Sequence, residues 1–454
     1  MRVEWAGSGP ELLVTIDRDS TTGLRSQLEE QLRTAIRGGR LTAGEPLPSS
    51  RELARALGLS RGLVQDCYAQ LQAEGYLTSR PGSATRVAAA AARPTAPPPV
   101  PVPPPVSRHP VADFAHGVPD LGMVPREAWA WAVREVCRSA PDADFDYGDA
   151  AGHPRLRQVL ASYLSRVRAV AAGPDDLIVC TGMRQSLHLV VETLSAAGSG
   201  ALAVEHPGSA MPGMATVPIP VDDDGLDVAA LRRTELTAVV VSPAHQWPTG
   251  VVLTGPRRLD LIAWARERDG IIVEDDYDAE FRYDRDPVGS LQGLAPDHVV
   301  SLGTVSKSLA PALRLGWIIA PPRLRPALAE AKWLADRGSP AIDQLALALL
   351  IESGRYDRHL RRVRAEYAAR RETLVAALAR HAPQLPVTGL AAGFHAILHL
   401  PPGADETAVV EAAARRGVGL YGMGHPPARL ILGFGNTSRS EIETGIAAIA
   451  DLLA

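Results

Sequence analysis

The chain contains almost no lysine. Its 47 basic residues include only Lys307 and Lys332, and all the others are arginine. Arginine stays charged at any accessible pH and cannot form an imine, whereas lysine can lose its proton and attack a carbonyl group. Amine chemistry is therefore limited to two positions. We interpret Lys332, which lies in a helical pattern, as a solvated surface charge.

Cysteine is also scarce. Cys67, Cys137 and Cys180 are far apart in the chain and form no CxxC pair. This spacing argues against a disulfide framework and a zinc site, and it fits a reducing compartment. We predict a cytoplasmic protein that binds no metal.

Long apolar runs are missing as well. No unbroken stretch approaches the roughly 18 residues of a membrane span, and the N-terminus has no basic-plus-apolar secretion signal. The net charge of −4 gives no overall indication of a nucleic-acid partner. A length of 454 residues with 46% hydrophobic residues favours two or three domains. We predict no membrane partner.

Proline, by contrast, is concentrated in one segment. Nine prolines lie between Arg93 and Pro110, after a low-complexity alanine run. Such a segment favours a semi-rigid polyproline II spacer, and a proline-rich ligand for a partner is the alternative. We therefore predict a head over residues 1–87, a linker over 88–112 and a large domain over 113–454.

The head carries three helical patterns and then two short strand patterns. The first helix has its apolar face over residues 24–36. Ser49 or Ser50 is a typical cap for the second helix, and Ser60 for the third. Residues 75–87 predict a small hairpin. This order is typical of a winged helix-turn-helix.

Residues 47–64, with Tyr68, Leu71 and residues 74–77, resemble the GntR-type winged helix. The resemblance implies that the third helix enters the major groove of promoter DNA. Free amides at a helix N-terminus bind phosphate, and arginine can reach guanine edges. The residues that the resemblance places against DNA are Ser49, Arg51, Ser60, Arg61, Gln65, Arg80 and Gly82.

Two features of the head count against DNA binding. Residues 1–87 hold eleven arginines and ten acidic residues, so the head is not basic overall. Asp66, on the third helix, would be repelled by phosphate if it faced DNA. The alternative is a helical interaction module that binds no DNA.

The large domain alternates helical patterns with short apolar runs, which predicts an α/β fold. Ligands in such folds collect at the carboxyl ends of the strands. The predicted strands cover residues 177–180, 201–204, 238–241, 271–273, 299–302 and 317–320.

Polar motifs follow four of these strands. Residues 181–187 open a helix and can bind a phosphate, and the acidic residues 274–278 include a carboxylate that can pair with a pyridine nitrogen. Residues 242–250 are rich in turn-forming residues. Lys307 is followed seven residues later by Arg314. This arrangement suits a Schiff base between Lys307 and pyridoxal phosphate, with Arg314 contacting the phosphate group. The four motifs together predict pyridoxal phosphate as cofactor.

Together with residues 147–157, these motifs resemble the fold-type I, aspartate aminotransferase-like superfamily over most of residues 115–454. A GntR head on this body resembles the MocR (GabR-like) regulators, as do residues 245–248 and 274–283. The resemblance implies that Lys307 forms the Schiff base, that Asp275 pairs with the ring nitrogen and that Tyr277 contacts the phenolic oxygen. The other implied cofactor contacts are Gly182, Met183, Arg184, His245, Thr304, Ser306 and Arg314.

The chain departs from this pattern at three places. Ser209 stands where the family often has an aromatic that stacks on the ring. Trp247 stands where the superfamily has an asparagine, just before residues 248–250. His245 or Gln246 is then left to take the place of that asparagine. Ile431 occupies the position of the arginine that binds the substrate carboxylate; Arg429, two residues earlier, is a stand-in or only a surface or DNA-side charge.

The sequence therefore predicts a multi-domain protein, a winged helix-turn-helix followed by an α/β domain of the fold-type I transferases. We interpret it as a homodimeric, DNA-binding transcriptional regulator that senses pyridoxal phosphate or an amino compound through an aldimine at Lys307. Physiological turnover is doubtful, although residual aminotransferase chemistry is possible. The alternatives are a cytoplasmic aminotransferase with an accessory N-terminal domain, and a DNA-binding protein whose large domain is an inactive scaffold.

Overall fold

The structure is a computed structural model, which describes residues 2–6, 13–79, 84–89, 111–208, 213–278, 280–283 and 289–453. The chain divides into two compact units, Met1–Val106 and Ser107–Ala454. Most of the predicted linker lies outside the described residues, and so do Arg80, Gly82 and Ser209.

The first unit contains the three expected helices and the expected two-stranded hairpin. Ser49 and Ser60 cap the second and third helices, because their side chains accept hydrogen bonds from Glu52 N and Leu63 N, both at 3.2 Å. Gly58 ends the second helix in the left-handed region at φ 62°. The elements are β1 (Arg2–Ala6), β2 (Leu13–Asp17), α1 (Leu24–Arg37), α2 (Ser50–Leu57), α3 (Arg61–Ala73), β3 (Leu77–Thr78) and β4 (Arg86–Val87).

The antiparallel pair β1 and β2 was not predicted. Strand β2 contributes Val14 and Ile16 to the core of this unit. Two glutamines of α1 each bond both the N–H and the carbonyl oxygen of one residue of β2. The side chain of Gln31 accepts from Thr15 N at 2.8 Å and donates to Thr15 O at 2.6 Å. The side chain of Gln27 accepts from Asp17 N and donates to Asp17 O, each at 2.9 Å. These bonds satisfy backbone groups of β2 that β1 does not pair.

The second unit is built on an eight-stranded sheet, and all six predicted strands belong to it. The order of its strands is β6-β13-β12-β11-β10-β7-β8-β9. Strands β8, β7, β10, β11 and β12 pair in parallel, and β6 runs in the same direction because β13 is antiparallel to both β12 and β6. The carboxyl ends of these six strands therefore lie at one edge. The strands are β6 (Leu177–Cys180), β7 (Ala201–His206), β8 (Ala215–Asp222), β9 (Gly225–Leu226), β10 (Ala238–Val241), β11 (Ile271–Asp276), β12 (Val299–Thr304) and β13 (Gly316–Ile319).

Helices cover this sheet, and a smaller sheet follows it in the chain. The helices of the second unit are α4 (Arg126–Ser139), α5 (Pro154–Arg168), α6 (Met183–Ala196), α7 (Val228–Arg232), α8 (Gly255–Arg268), α9 (Arg325–Asp336), α10 (Ala341–Glu352), α11 (Arg355–His381), α12 (Glu406–Arg415) and α13 (Arg439–Ala448). The remaining strands are β5 (Ala112–Asp113), β14 (Val387–Thr388), β15 (His395–His399), β16 (Val418–Gly419), β17 (Tyr421–Gly422) and β18 (Arg429–Gly433). Within the described ranges, no helix is both long and apolar enough to cross a bilayer.

Candidate cofactor site and DNA-binding face

Lys307 lies just beyond β12, at the edge where the parallel strands end. Its side chain is half-buried, and its ammonium donates a hydrogen bond to the carbonyl oxygen of Gly117. Burial lowers the pKa of Lys307, and the negative charges of Asp278 and Asp275 offset only part of that effect. The amine is thus more easily deprotonated than a solvated lysine, as an imine-forming group requires.

Asp275 lies at the end of the neighbouring strand β11. Its Oδ1 atom is buried and has no hydrogen-bond partner among the described residues. The pKa of Asp275 is raised to about 7, chiefly by burial and also by the negative charges of Asp278 and Asp276, while Lys307 opposes the rise. An orphaned carboxylate oxygen is costly unless a partner arrives. The protonated nitrogen of a pyridine ring is a partner that fits this atom.

Tyr277, His245 and Asp278 form a buried polar cluster beside Asp275. The Tyr277 hydroxyl donates to the carbonyl oxygen of His245 at 3.1 Å, and the Asp278 carboxylate meets His245 Nδ1 at 2.8 Å. His245 is only 1% exposed. The side chain of Gln246 bonds the carbonyl oxygens of Pro207 and Trp247. Gln246 is one of the two residues considered as substitutes for the missing asparagine. Its side-chain amide is already used in bonds to these backbone carbonyl oxygens.

Gly182 and the first turn of α6 form the turn for which phosphate binding is predicted. Gly182 adopts φ 92°, which other residues rarely reach. A Cβ at this position would lie 3.0 Å from both terminal nitrogens of Arg314, so the glycine lets the guanidinium approach. Met183 and Arg184 are the first two residues of the helix, where backbone amides lack helical partners. The Arg184 side chain is exposed.

The other predicted phosphate contacts belong to the segment from the end of β12 to the start of β13. Arg314 is exposed and sits in the left-handed region at φ 51°. The hydroxyl groups of Thr304 and Ser306 are 2.9 Å apart, and Thr304 also donates to Leu315 O at 3.0 Å. The structure thus brings Gly182 against Arg314 and holds the Thr304 and Ser306 hydroxyls together close to Lys307 in the chain.

Trp247 lines a small cavity of 40 Å³ together with Asp275, Glu205 and Ser242. Its ring centroid is 4.4 Å from that of His116, the neighbour of the glycine that bonds Lys307. A large aromatic side chain therefore stands beside Asp275 although Ser209 supplies none. Burial raises the pKa of Glu205, on the same cavity, to about 8.

Ile431 packs against Ile397 and Met423, with Trp247 against the same cluster. The position expected to hold a carboxylate-binding arginine is therefore apolar. Arg429 pairs in register with His399 on β15, and its backbone N–H donates to Glu406 at 3.1 Å. Arg429 is half-buried, with an Nε atom that has no partner within the described ranges.

The prediction for Lys332 was wrong. Its side chain is 0% exposed, and its ammonium donates to both carboxylate oxygens of Asp336 at 2.6 Å and to Ser339 Oγ at 3.0 Å. Its helical position did not reveal this burial, because Ser339 lies beyond the helix and bonds in turn to the carbonyl oxygen of Val179 at 3.5 Å.

The DNA-binding residues predicted within the described part of the head lie on its surface. Ser49, Arg51, Ser60, Arg61 and Gln65 are all exposed. Arg61 and Gln65 are four residues apart on α3, so they share one face of that helix. Arg80 and Gly82 lie outside the described residues and stay predictions.

Sequence reasoning missed several residues of the cofactor site. The residues without a local signal lie far along the chain from Lys307 and Asp275; they are His116, Gly117, Glu205 and His395. Asp278 was also missed. His395 stacks on His245 with ring centroids 4.4 Å apart. One clue was available for Asp278, which lies three residues after Asp275 in the acidic motif.

Two family profiles match the chain. Aminotransferase class I and II covers residues 110–449, and Bacterial regulatory proteins, gntR family, covers residues 24–87. Similar structures include a Pyrococcus horikoshii kynurenine aminotransferase with a TM-score of 0.69 and 25% identity, over 76% of this chain and 90% of that one. An archaeal alanine:glyoxylate aminotransferase has a TM-score of 0.68 and 26% identity, over 76% and 90%.

Two similar regulators align along nearly the whole chain. The HTH-type pyridoxine biosynthesis transcriptional regulator PdxR of Corynebacterium glutamicum is 33% identical, over 97% of this chain and 98% of its own. The probable rhizopine catabolism regulatory protein MocR of Rhizobium meliloti is 31% identical, over 96% and 94%. The chain therefore belongs to the aminotransferase class I and II family and, through its gntR head, to the MocR-type transcriptional regulators, whose aminotransferase-like domain binds pyridoxal phosphate.

Proposed function

We propose that this regulator binds promoter DNA as a homodimer, and that its DNA affinity responds to pyridoxal phosphate or to an amino compound that joins it at Lys307. We further propose that it has no physiological turnover. The observation that carries the proposal is the orphaned Oδ1 atom of Asp275, one strand away from the half-buried amine of Lys307. A carboxylate and an amine so placed suit the two ends of one cofactor ring.

When bound, pyridoxal phosphate supplies an aldehyde that an amine can capture and a ring that withdraws electrons. In the proposed site Lys307 is the capturing amine, and Gly117 O orients it. Asp275 holds the proton of the ring nitrogen. Burial raises the pKa of Tyr277 and keeps its hydroxyl protonated, so this hydroxyl would donate a hydrogen bond to the phenolic oxygen in place of the one it donates to His245 O.

The phosphate is held by the turn that contains Gly182, Met183 and Arg184, together with Arg314. The amides at the N-terminus of α6 and the guanidinium next to Gly182 point to one anion site. The hydroxyl groups of Thr304 and Ser306 complete it.

Pyridoxal phosphate itself is favoured as the signal by the similarity to PdxR, whose name assigns it to pyridoxine biosynthesis. The apolar packing of Ile431 supports the same choice, because the position expected to bind an amino-acid carboxylate carries no charge. This feature also counts against the alternative of a free aminotransferase. Arg429 remains the candidate for an effector carboxylate.

The test is to measure DNA affinity with and without the cofactor. Genomic fragments selected by the full-length protein are titrated with cofactor-free protein, with added pyridoxal phosphate and with added pyridoxamine phosphate. Pyridoxamine phosphate carries the phosphate but no aldehyde, so it cannot bond Lys307. We expect DNA affinity to change at least about fivefold with pyridoxal phosphate only, a usual size for coupled sites. Equal affinity under all three conditions would refute the proposal.

A further inference from the structure

We propose that Lys332, acting through Asp336 and Gln185, positions the turn that holds the cofactor's phosphate. This inference rests on the proposed site at Gly182, Met183 and Arg184. It gives the second lysine of a nearly lysine-free chain a role that Lys307 does not share.

The ammonium of Lys332 is held in a single arrangement. It is fully buried and lies between the two oxygens of Asp336 and the hydroxyl of Ser339. Burial would raise the pKa of Asp336, but hydrogen bonds from Lys332, Gln185 and the Gly338 amide outweigh it and lower that pKa. A buried cation whose donors are satisfied resists rearrangement, because moving it would leave a charge unpaired.

Gln185 connects this ion pair to the phosphate turn. Its side-chain amide donates to Asp336 Oδ2 at 2.7 Å, and its side-chain oxygen accepts from the backbone N–H of Thr181 at 2.8 Å. Gln185 is the third residue of α6. The side chain of Gln185 thus connects two segments to the C-terminal end of α9. One is Thr181, which precedes the turn, and the other is the first turn of α6.

This connection determines which amides can reach a phosphate. The N–H of Thr181 is already bonded to Gln185, and the amides of Gln185 and Ser186 bond the carbonyl oxygen of Gly182 at 3.1 and 3.2 Å. Gly182, Met183 and Arg184 lie between them, and the amides of Met183 and Arg184, at the start of α6, have no helical partner. Gln185 therefore holds the turn in the one orientation that presents them.

Charge leads to the same conclusion. Without Lys332, the Asp336 carboxylate would be a net negative charge one glutamine away from an anion site. It would oppose a phosphate dianion, and the turn would lose its anchor. The effect should depend on the phosphate and spare the ring, since Asp275 and Tyr277 lie on other strands and loops of the site.

The experiment compares two ligands that differ only in the phosphate. Cofactor-free full-length protein is titrated with pyridoxal phosphate and with pyridoxal, and absorbance reports binding. The variants are Lys332→Met, Gln185→Leu and, as a control on the same helix, Glu330→Gln, whose side chain is exposed. Gln185→Leu leaves the pair of Lys332 and Asp336 intact, so it tests the connection even if Lys332→Met fails to fold.

We expect Gln185→Leu and Lys332→Met each to weaken pyridoxal phosphate about tenfold, the size of one charge-assisted hydrogen bond. Pyridoxal should change by less than about twofold, and Glu330→Gln should change neither ligand. The phosphorus NMR signal of the bound cofactor should also shift in both variants at saturation. Equal weakening of both ligands, or no weakening of either, would overturn the inference. Wild-type protein that binds neither ligand would instead remove the proposed function.

Discussion

The ammonium of Lys307 bonds the carbonyl oxygen of Gly117, a residue 190 positions earlier in the chain. Gly117 adopts φ 74°, and a Cβ there would lie 3.8 Å from the lysine nitrogen. The segment around Gly117 therefore helps to orient the amine. This contact leaves Lys307 half-buried and close to the negative charges that matter for its protonation.

The first prediction concerns covalent attachment at Lys307. Protein loaded with pyridoxal phosphate and reduced with borohydride should carry the label on Lys307 alone, as mapped by mass spectrometry of peptides. Lys332 is an internal control, because it is fully buried and paired with Asp336. Lys307→Arg keeps the charge but cannot form an imine, so it should remain unlabelled. Label on Lys332, or on the variant, would contradict the assignment.

The sequence was sufficient to predict six of the eight strands of the large sheet, because short apolar runs ending in polar motifs are local signals. Strand β8 was missed since Pro218 and Pro220 argue against a strand, yet it pairs with β7 over its length. The pair β1 and β2 was missed for another reason. Its stability depends on Gln27 and Gln31 of α1, a partnership that no local pattern reveals.

The cofactor site divides in the same way. Asp275 lies at the end of β11, and Gly182 and Lys307 closely follow β6 and β12, so chain order was enough to single them out. The roles of Gly117, Trp247 and Lys332 depend on contacts between distant segments. A charged residue in a helical pattern reads as exposed unless its partners are known, and the partners of Lys332 include Ser339, beyond the end of the helix.

The second prediction concerns ligand choice at Ile431. In the wild type, the cofactor's absorbance should respond to tryptamine or phenethylamine but not to tryptophan or phenylalanine, because the site presents an apolar cluster to the carboxylate. Ile431→Arg should strengthen the response to amino acids at least about tenfold, the usual effect of a charge-assisted hydrogen bond.

Ile431→Met is the matched control for that variant. It changes shape but adds no charge, so amino acids should remain without effect. A wild-type protein that responds to amino acids as strongly as to the corresponding amines would contradict this account of the site. In that case Arg429 would be the first residue to test, since it lies two residues away on the same face of β18.

The third prediction follows from the raised pKa of Asp275. The ordinary pKa is 3.8 and the folded value is about 7, so the folded, cofactor-free protein holds this proton more tightly than the unfolded chain. Stability from this group is therefore present below about pH 4 and lost as pH rises towards about 7. Asp275→Asn cannot ionise and should escape this loss.

Thermal melts of the cofactor-free proteins at about pH 5 and about pH 8 test this prediction. At the higher pH, the free energy of unfolding of Asp275→Asn should rise relative to that of the wild type by on the order of 2 kcal/mol. Other buried acids, such as Glu205 and Glu280, are common to both proteins and cancel in the difference. A gain of equal size at both pH values would show that Asp275 does not titrate in this range.

The fourth prediction concerns the homodimer. Tyr147, Trp333 and Leu334 are large exposed apolar side chains, with exposed fractions of 75%, 49% and 69%, and we group them as one candidate patch. Arg337 joins it, because its guanidinium carbon lies 5.7 Å from the Tyr147 ring centroid and 5.5 Å from that of Trp333. Contiguous exposed apolar surface is typical of an interface.

Sedimentation at micromolar concentration should show a dimer for the wild type and a shift towards monomer for Leu334→Glu. Leu259→Glu is the control, since Leu259 is 64% exposed on another helix, α8. A wild type that sediments as a monomer would refute the dimer. If both variants dissociate it equally, the patch is not the interface.

The fifth prediction concerns DNA recognition by Arg61. This residue is exposed in the first turn of α3, where Ser60 caps the helix and Tyr68 fixes it to Pro48 O at 2.9 Å. Because the helix is anchored by these contacts, Arg61→Ala should leave the head folded. If Arg61 reads a base edge, the substitution should cost about 1–3 kcal/mol on the specific site and little on unrelated DNA.

The salt dependence of binding separates base readout from phosphate contact. Removing an arginine that contacts phosphate weakens binding to all DNA sequences alike and lowers the slope of the salt dependence by about one. Removing an arginine that reads a base has neither effect. Arg55→Ala is the matched control, because it also removes an exposed arginine, near the end of α2, that is not among the predicted DNA contacts. Titrations of specific and unrelated DNA at several salt concentrations decide between these cases. An Arg61→Ala protein with unchanged affinity and footprint would remove Arg61 from the interface altogether.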